Sequence, residues 1–344
     1  MGIEIGLIGI GGLGYLQAKT YADVEEVTLT AAADISADAR DLADEQFDIP
    51  AYEDYREMLS EHANELDAVS IVTPHTLHYE QARACLEWDL NVLLEKPMVT
   101  EIEHAEDLVE RAADRDLVLQ VGYQRHFHPA YKEIRRIIGS GRIGDLHSMS
   151  CFLGQDWIDP QLGTWRTNPV LSGGGQLYDS GSHLMDVLLW TTDADPVSVS
   201  AQMEFHEPEI DVNSSLSIRL ERDGNPILAS VCISGDGTDM TPSEGYTYWG
   251  TEGQLTFTGG EISVEEKSGT TYETSISGGS DFQSLNRQKI RNFVASVRGT
   301  AEPAVPGEIG LEVTTLTEAA YRAAESESTV EVESLRASDT PTIG

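Results

Sequence analysis

Lysine is nearly missing from this chain, occurring only at Lys19, Lys96, Lys132, Lys267 and Lys289, and basic residues of both kinds number 22 against 59 acidic ones. The net charge of −37 over 344 residues repels phosphate, which argues against nucleic acid or an anionic membrane surface as a partner. Cysteine is equally thin: Cys85, Cys151 and Cys232 are too few and too far apart for a disulfide framework or a clustered metal site. No run of apolar residues reaches bilayer length, and the apolar start MGIEIGLIGI has no basic leader or cleavage-like segment. These absences lead us to expect a soluble, cytoplasmic protein.

What is abundant is acid, and it is spread along the chain rather than gathered in a tail. Distributed Asp and Glu with few lysines suit a protein kept soluble at high salt, where like-charge repulsion is screened over a few ångströms. A halophile's cytosol is the expected setting, although the same composition also fits an acidic mesophilic protein.

From residue 3 to about 122 short β-branched runs alternate with helical patterns. The strand candidates are IEIGLIG, VTLTAAA, DAVSIVT, NVLLE and LVLQVG. Helix candidates between them are GYLQAKTYADV, YEQARACLEW and EIEHAEDLVERAADR, the last with an apolar stripe at Ile102, Ala105, Leu108, Val109 and Ala112. This is the order of repeated βαβ units around a parallel sheet, a Rossmann domain of the α/β class. The helix AYKEIRRIIGSG follows, then strand-like runs separated by Gly, Asp and Pro to about residue 275, then the helical patterns SLNRQKIRNFVASVRG and GLEVTTLTEAAYRAAES. The expected division is a dinucleotide-binding domain over 1–122, an α+β domain with a large, mostly antiparallel mixed sheet over 123–335, and a loose tail over 336–344.

Gly9, Gly11, Gly12 and Gly14 stand in G-x-G-x-x-G spacing between the first strand and its helix, with Leu13 inside the turn. Such glycines permit a tight turn and close backbone approach, and the helix start offers N–H groups to a pyrophosphate. Asp34 ends the next strand 20 residues after Gly14. An acid there accepts from ribose hydroxyls and repels a 2′-phosphate, favouring NAD. Asp34 would alternatively cap the next helix, and Ser36 or Arg40 could accommodate NADP.

The stretch SGGGQLYDSGSHLMDVLLW, residues 172–190, puts three glycines ahead of an apolar helix that carries Asp179 and His183 at its start. At i and i+4 these two share one helix face, while Leu184 and Leu188 anchor another side. His183 suits a general base because its ordinary pKa lies near neutrality, with Asp179 orienting the imidazole or bonding a neighbouring hydroxyl. Asp179, His183 and Asp186 could instead hold a metal; nicotinamide chemistry needs none, and no metal is expected.

VTPHTLHYEQARACLEWDLNVLLEKP and SGGGQLYDSGSHLMDVLLW, in that order behind the glycine turn, resemble the glucose-fructose oxidoreductase and inositol dehydrogenase (Gfo/Idh/MocA) family. The likeness includes YWGTEGQLTF and EIGLEVTTLTEAAYRAA. The resemblance implies NAD(P)-dependent oxidation or reduction of a sugar, inositol or related polyol, and a second-domain sheet that often forms an oligomer interface, here a homodimer or homotetramer. It places Thr73, His75, His78, Glu95 and Lys96 along the cofactor, and gives Lys96, Asp179 and His183 the catalytic roles, with Lys96 donating to the reacting oxygen. His75 departs from the family's usual Asn.

Arg125, Trp157, Trp165 and Arg166 are the candidate substrate contacts beside His183, since aromatic faces with polar donors suit a polyol; core filling and a structural ion pair are the bland alternatives for them. Two other functions stay open: a glycosidase or lyase whose bound NAD is recycled within each turnover, and a dinucleotide-binding sensor without turnover. From the acidic composition, the melting temperature followed by circular dichroism is expected to fall steadily as KCl is lowered from multimolar concentration. A salt-independent melt would refute the halophilic reading.

Overall fold

The computed structural model describes residues 2–206, 210–238, 241–276 and 278–336. The expectation of a loose tail over 336–344 falls outside the described residues except for Arg336, which closes the short helix Glu333–Arg336. The chain divides into two compact units, Met1–Gln124 with Asp281–Leu311, and Arg125–Ser280 with Glu312–Gly344.

In the first unit six strands run in parallel: β1 (Ile3–Ile8), β2 (Val27–Ala33), β3 (Ala51–Tyr52), β4 (Ala68–Ile71), β5 (Asn91–Leu94) and β6 (Leu119–Val121). Their order, β3-β2-β1-β4-β5-β6, is that of a doubly wound dinucleotide fold. The central strands are apolar almost throughout because helices cover both faces of a parallel sheet; β4 is buried at all of its residues. The helix Ile102–Asp114 buries Ile102, Ala105, Leu108 and Ala112. Strand β3 and the acidic helices Ala37–Phe47 and Tyr55–His62 carry too little apolar pattern to have been anticipated.

The chain division corrects the sequence expectation, which ran the second domain unbroken from 123 to 335. Segment 281–311 belongs to the first unit. The helix Phe282–Val297 turns Ile290, Phe293 and Val294 into the core formed by Ile5, Leu7, Ala18 and Tyr21, so its apolar stripe is satisfied there. On the same helix Lys289 is buried and ion-paired with Glu95.

The second unit holds a nine-stranded sheet: β7 (Leu146–Gly154), β8 (Asp195–His206), β9 (Ile210–Arg222), β10 (Asn225–Ser234), β11 (Glu244–Gly250), β12 (Gly253–Thr258), β13 (Glu261–Glu266), β14 (Thr271–Ser275) and β15 (Val330–Glu331). The order is β14-β13-β12-β11-β7-β10-β9-β8-β15, and only β7 with β10 is parallel. Burial alternates along β10, the period-2 pattern of a sheet with one covered face. The helices Pro129–Gly139 and Ser182–Thr192 pack on each other, against β13 and β7 respectively.

Five aspartates, Asp48, Asp89, Asp116, Asp193 and Asp223, adopt the left-handed conformation that glycine or asparagine usually fills. Asp48 and Asp193 directly follow the helices Ala37–Phe47 and Ser182–Thr192.

Replacing Lys289 by Met leaves the Glu95 carboxylate buried without its cation, and should cost about 3–5 kcal/mol in denaturant unfolding. Adding Glu95→Gln should recover part of that loss. Equal stability of the single variant and wild type would show that the pair contributes nothing net.

Candidate active site

In the first unit the turn after β1 is shaped by contacts that admit no side chain. A Cβ on Gly9, whose φ is +85°, would sit 2.3 Å from the Val72 carbonyl oxygen, and one on Gly14 would sit 2.0 Å from that of Gly9. The helix Leu13–Ala22 opens at Gly12 with no side-chain cap and no acid in its first turn, which leaves donor N–H groups for an anion. Asp34 stands against this turn: its Oδ2 accepts from the N–H groups of Ile10 (2.9 Å) and Gly11 (3.3 Å). Its Oδ1 accepts from Ser36 N–H at 2.8 Å. Ser36 caps the helix Ala37–Phe47, so the alternative of Asp34 as that cap is not what forms. Arg40 donates to the carbonyl oxygens of Asp34 (2.8 Å) and Ile35 (3.0 Å). The glycine cradle, uncapped helix start and Asp34 fit the pyrophosphate and ribose of a dinucleotide.

Along the other strand ends, Thr73 donates to Gln81 Oε1 at 2.6 Å. His78 is buried, with Nδ1 2.9 Å from the Pro97 carbonyl and Nε2 3.0 Å from that of Thr73. It thereby ties the turn after β4 to the turn that follows Lys96, which is half-buried. Burial pushes the His78 pKa down, against the opposing pull of its carbonyl partners. His75 is also buried and meets His78 edge-on.

Glu95 requires a correction as a cofactor contact. Its carboxylate is buried, accepts from Gln17 Nε2 at 2.5 Å and from Lys289, and takes the Lys96 N–H at 3.3 Å on its other oxygen. Gln17 in turn accepts from Ser70 at 2.9 Å. The side chain that the motif offered to the cofactor is spent on an interior network joining the helix after the glycine turn to β4 and β5.

In the second unit the three glycines have separate steric reasons. Gly173 is left-handed (φ +71°) and ends a short helix. A Cβ on Gly174 would lie 2.6 Å from both Tyr178 and the Tyr321 hydroxyl, and one on Gly175 would lie 2.0 Å from the Asp211 carbonyl oxygen. Backbone and tyrosine rings, not substrate, occupy the space they leave. Leu177–Gly181 then forms a π-helical turn that leads into the α-helix Ser182–Thr192. The expectation of one regular helix through Asp179 and His183 is therefore corrected: an extra residue intervenes, as π turns at functional sites commonly provide.

Asp179 is buried, and its Oδ2 accepts from Trp157 Nε1 at 2.8 Å and from Arg166 Nε at 3.1 Å. Arg166 lies over the Trp165 ring, 4.4 Å from its centroid. His183 is half-buried on the first turn of the following helix. Trp157, expected to face substrate, packs in a small core with Ile158, Ile210 and Val212 and spends its N–H on Asp179; it holds the acid in place. Arg125 is likewise corrected. Its guanidinium pairs with Glu244 at 2.7 Å and donates to the Tyr246 hydroxyl at 2.8 Å, an internal ion pair. Asp186 pairs with buried His126 at 2.7 Å, and that partner takes it out of the metal alternative.

Sequence reasoning missed Asp211, Tyr321, Gln17 and Lys289. Asp211 left a signal, since Asp is disfavoured in strands. It is fully buried, with burial raising its pKa against the hydrogen bonds it accepts from Tyr321, Leu177 N–H and Gly175 N–H.

Residues 3–123 match the family model described as an oxidoreductase family with an NAD-binding Rossmann fold, GFO/IDH/MocA, and residues 131–256 match the C-terminal domain of the same family. The chain belongs to the Gfo/Idh/MocA family. Among Gfo/Idh/MocA relatives, D-xylose 1-dehydrogenase [NADP(+)] of Haloarcula marismortui is 27% identical over 96% of this chain and 93% of its own. The rhizopine catabolism protein MocA of Rhizobium meliloti is 32% identical over 57% of this chain and 59% of its own. In fold the chain is similar to an oxidoreductase domain protein from Kribbella flavida, with TM-score 0.86 and 21% identity over 96% of this chain and 99% of that one. Levoglucosan dehydrogenase in complex with NADH gives TM-score 0.84, 21% identity and the same two coverages.

Because the folded pKa of His78 lies below the usual 6.5, the unfolded chain binds the extra proton between the two values, and stability is lost as pH falls through that window. Denaturant unfolding from pH 7 to 5 should show this loss, and His78→Gln should flatten its slope by up to about one proton. An unchanged slope would refute the assignment.

Proposed function

We propose that this protein is an NAD(P)-dependent dehydrogenase or reductase that transfers hydride between a nicotinamide cofactor and a sugar, inositol or related polyol. The observation that carries the proposal is Asp179, a buried carboxylate held by Trp157 and Arg166 at the start of the helix bearing His183. Two donors on one carboxylate oxygen fix its direction, which suits a group that orients a base. In the oxidising direction His183 accepts the hydroxyl proton, Asp179 orients the imidazole or a neighbouring substrate hydroxyl, and Lys96 donates to the oxygen as its charge grows. The nicotinamide, when bound, supplies the hydride acceptor. Arg166 and Trp165 remain the substrate contacts of this reading.

Asp34 favours NAD. Arg40, now donating to two backbone carbonyls, is the group that would turn to a 2′-phosphate, and the NADP(+)-named haloarchaeal relative supports keeping that cofactor in view. The acidic composition, with the organism of that relative, supports a halophilic setting, for which we take the cytoplasm; no described helix is long and apolar enough to cross a membrane. A homodimer or homotetramer through the uncovered sheet face accounts for exposed Phe152 and Leu228 on adjacent β7 and β10.

Reduced-nicotinamide absorbance in multimolar KCl, with NAD or NADP and a panel of aldoses, inositols and sugar acids, tests the proposal. His183→Ala should lower kcat by about 10²–10⁴-fold with cofactor affinity unchanged. Asp34→Ala should weaken NAD by about tenfold or more, as losing charged hydrogen bonds of roughly 1.5–3 kcal/mol requires. Wild-type turnover in the His183 variant would sink the base assignment, and silence of the wild type across the panel would sink the net redox reading.

A further inference from the structure

The π turn at Leu177–Gly181 holds one residue more per turn than an α-helix, and Asp179 lies inside it, four residues before His183 on the α-helix that follows. Gly181 N–H bonds the Gln176 carbonyl, five residues back, at 2.8 Å, whereas Asp179 N–H bonds the Gly175 carbonyl, four back, at 3.1 Å. Each residue of an α-helix advances about 100° and about 1.5 Å. Were the turn to close into α geometry, everything upstream of it, Gly175 and Gln176 included, would rotate by about that angle relative to His183, and Asp179, inside the turn, by part of it.

Two anchors oppose that closure. Downstream, Leu184, Met185, Val187 and Leu188 are buried and Asp186 is paired with His126. Upstream, one residue takes three consecutive backbone donors: Asp211 accepts Gly175 N–H on Oδ1 (2.5 Å), Gln176 N–H on its carbonyl (2.9 Å) and Leu177 N–H on Oδ2 (2.8 Å). Tyr321, on the helix Gly307–Ser326, donates to the same carboxylate and stacks on Tyr178 with ring centroids 4.9 Å apart.

We infer that Asp211 and Tyr321 are positioning residues that hold the π turn open and so set the register of Asp179 against His183. The inference rests on the roles proposed for those two groups. The clamp touches neither reacting atom; it acts through the backbone, and Gly174 and Gly175 are the residues that let it close.

The test uses the full chain in KCl with Tyr321→Phe and Asp211→Asn, and Tyr248→Phe as control, since that change removes a buried hydroxyl bond to Thr191 near the far end of the same helix. The readouts are melting temperature, NAD affinity, kcat, and the indole N–H resonance of Trp157, which reports Asp179 directly. Tyr321→Phe is expected to shift that resonance and lower kcat by about ten- to a hundredfold, with NAD affinity within about twofold. Tyr248→Phe should leave the resonance and kcat as in wild type. Tyr321→Phe that melts lower yet keeps wild-type kcat and resonance overturns the inference. If Asp211→Asn does not fold, Tyr321→Phe still decides. If no substrate is turned over by the wild type, the resonance alone judges the clamp, and the functional reading fails separately.

Discussion

A carboxylate removed from water must find donors or lose its charge, and the second unit solves this at Asp211 by spending it on backbone. Burying an ion costs several kcal/mol before compensation; here two N–H groups and a phenol offset part of it, burial still holding the Asp211 pKa above the usual carboxylate value. The compensation dictates its surroundings. The chain must pass within contact of Asp211, so Gly175 has no room for a Cβ, and Tyr321 must reach over Gly174. The π turn, the direction of Asp179 and the approach of Trp157 and Arg166 all follow from where that backbone is held.

The first unit meets the same constraint with a different partner. Glu95 is neutralised by Lys289 and bonded by Gln17, so one buried acid links the helix behind the glycine turn, the end of β5 and a helix contributed from almost two hundred residues later. Lys289 is among the chain's few lysines and is buried. The two units thus share a device: an interior acid whose donors come from segments distant in sequence fixes a turn that carries candidate site residues.

That distance decides what could be read without the structure. Strands β1, β4 and β5 were legible because parallel strands covered on both faces read as unbroken apolar runs. The helix Ala37–Phe47 was not, because it buries only Ala39 and Ala43 and leaves no stripe. The glycine turn and Asp34 were legible because their spacing is local. Asp179 and His183 were legible as a motif, but the π turn between the glycines and the helix was hidden, since the residues that clamp it sit on β9 and on the helix Gly307–Ser326. Arg125 and Trp157 were read as substrate contacts, with an ion pair and core filling as the alternatives, and the alternatives are what forms; Glu244 and Asp179, which they bind, lie 119 and 22 residues away in the chain.

The aspartates in left-handed geometry bear on where the acidic surface acts. At Asp193 the opposition of a carboxylate to the negative end of a helix is met from within the chain, by Arg135, which pairs with it at 2.7 Å and also donates to the Trp190 carbonyl. At Asp48 the carboxylate opposes the peptide dipoles by roughly 0.3–1 kcal/mol in dilute solution, and dissolved cations gathering there reduce that cost. In this chain the stop signal of a helix is thus written in a residue whose cost depends on the solvent's ions.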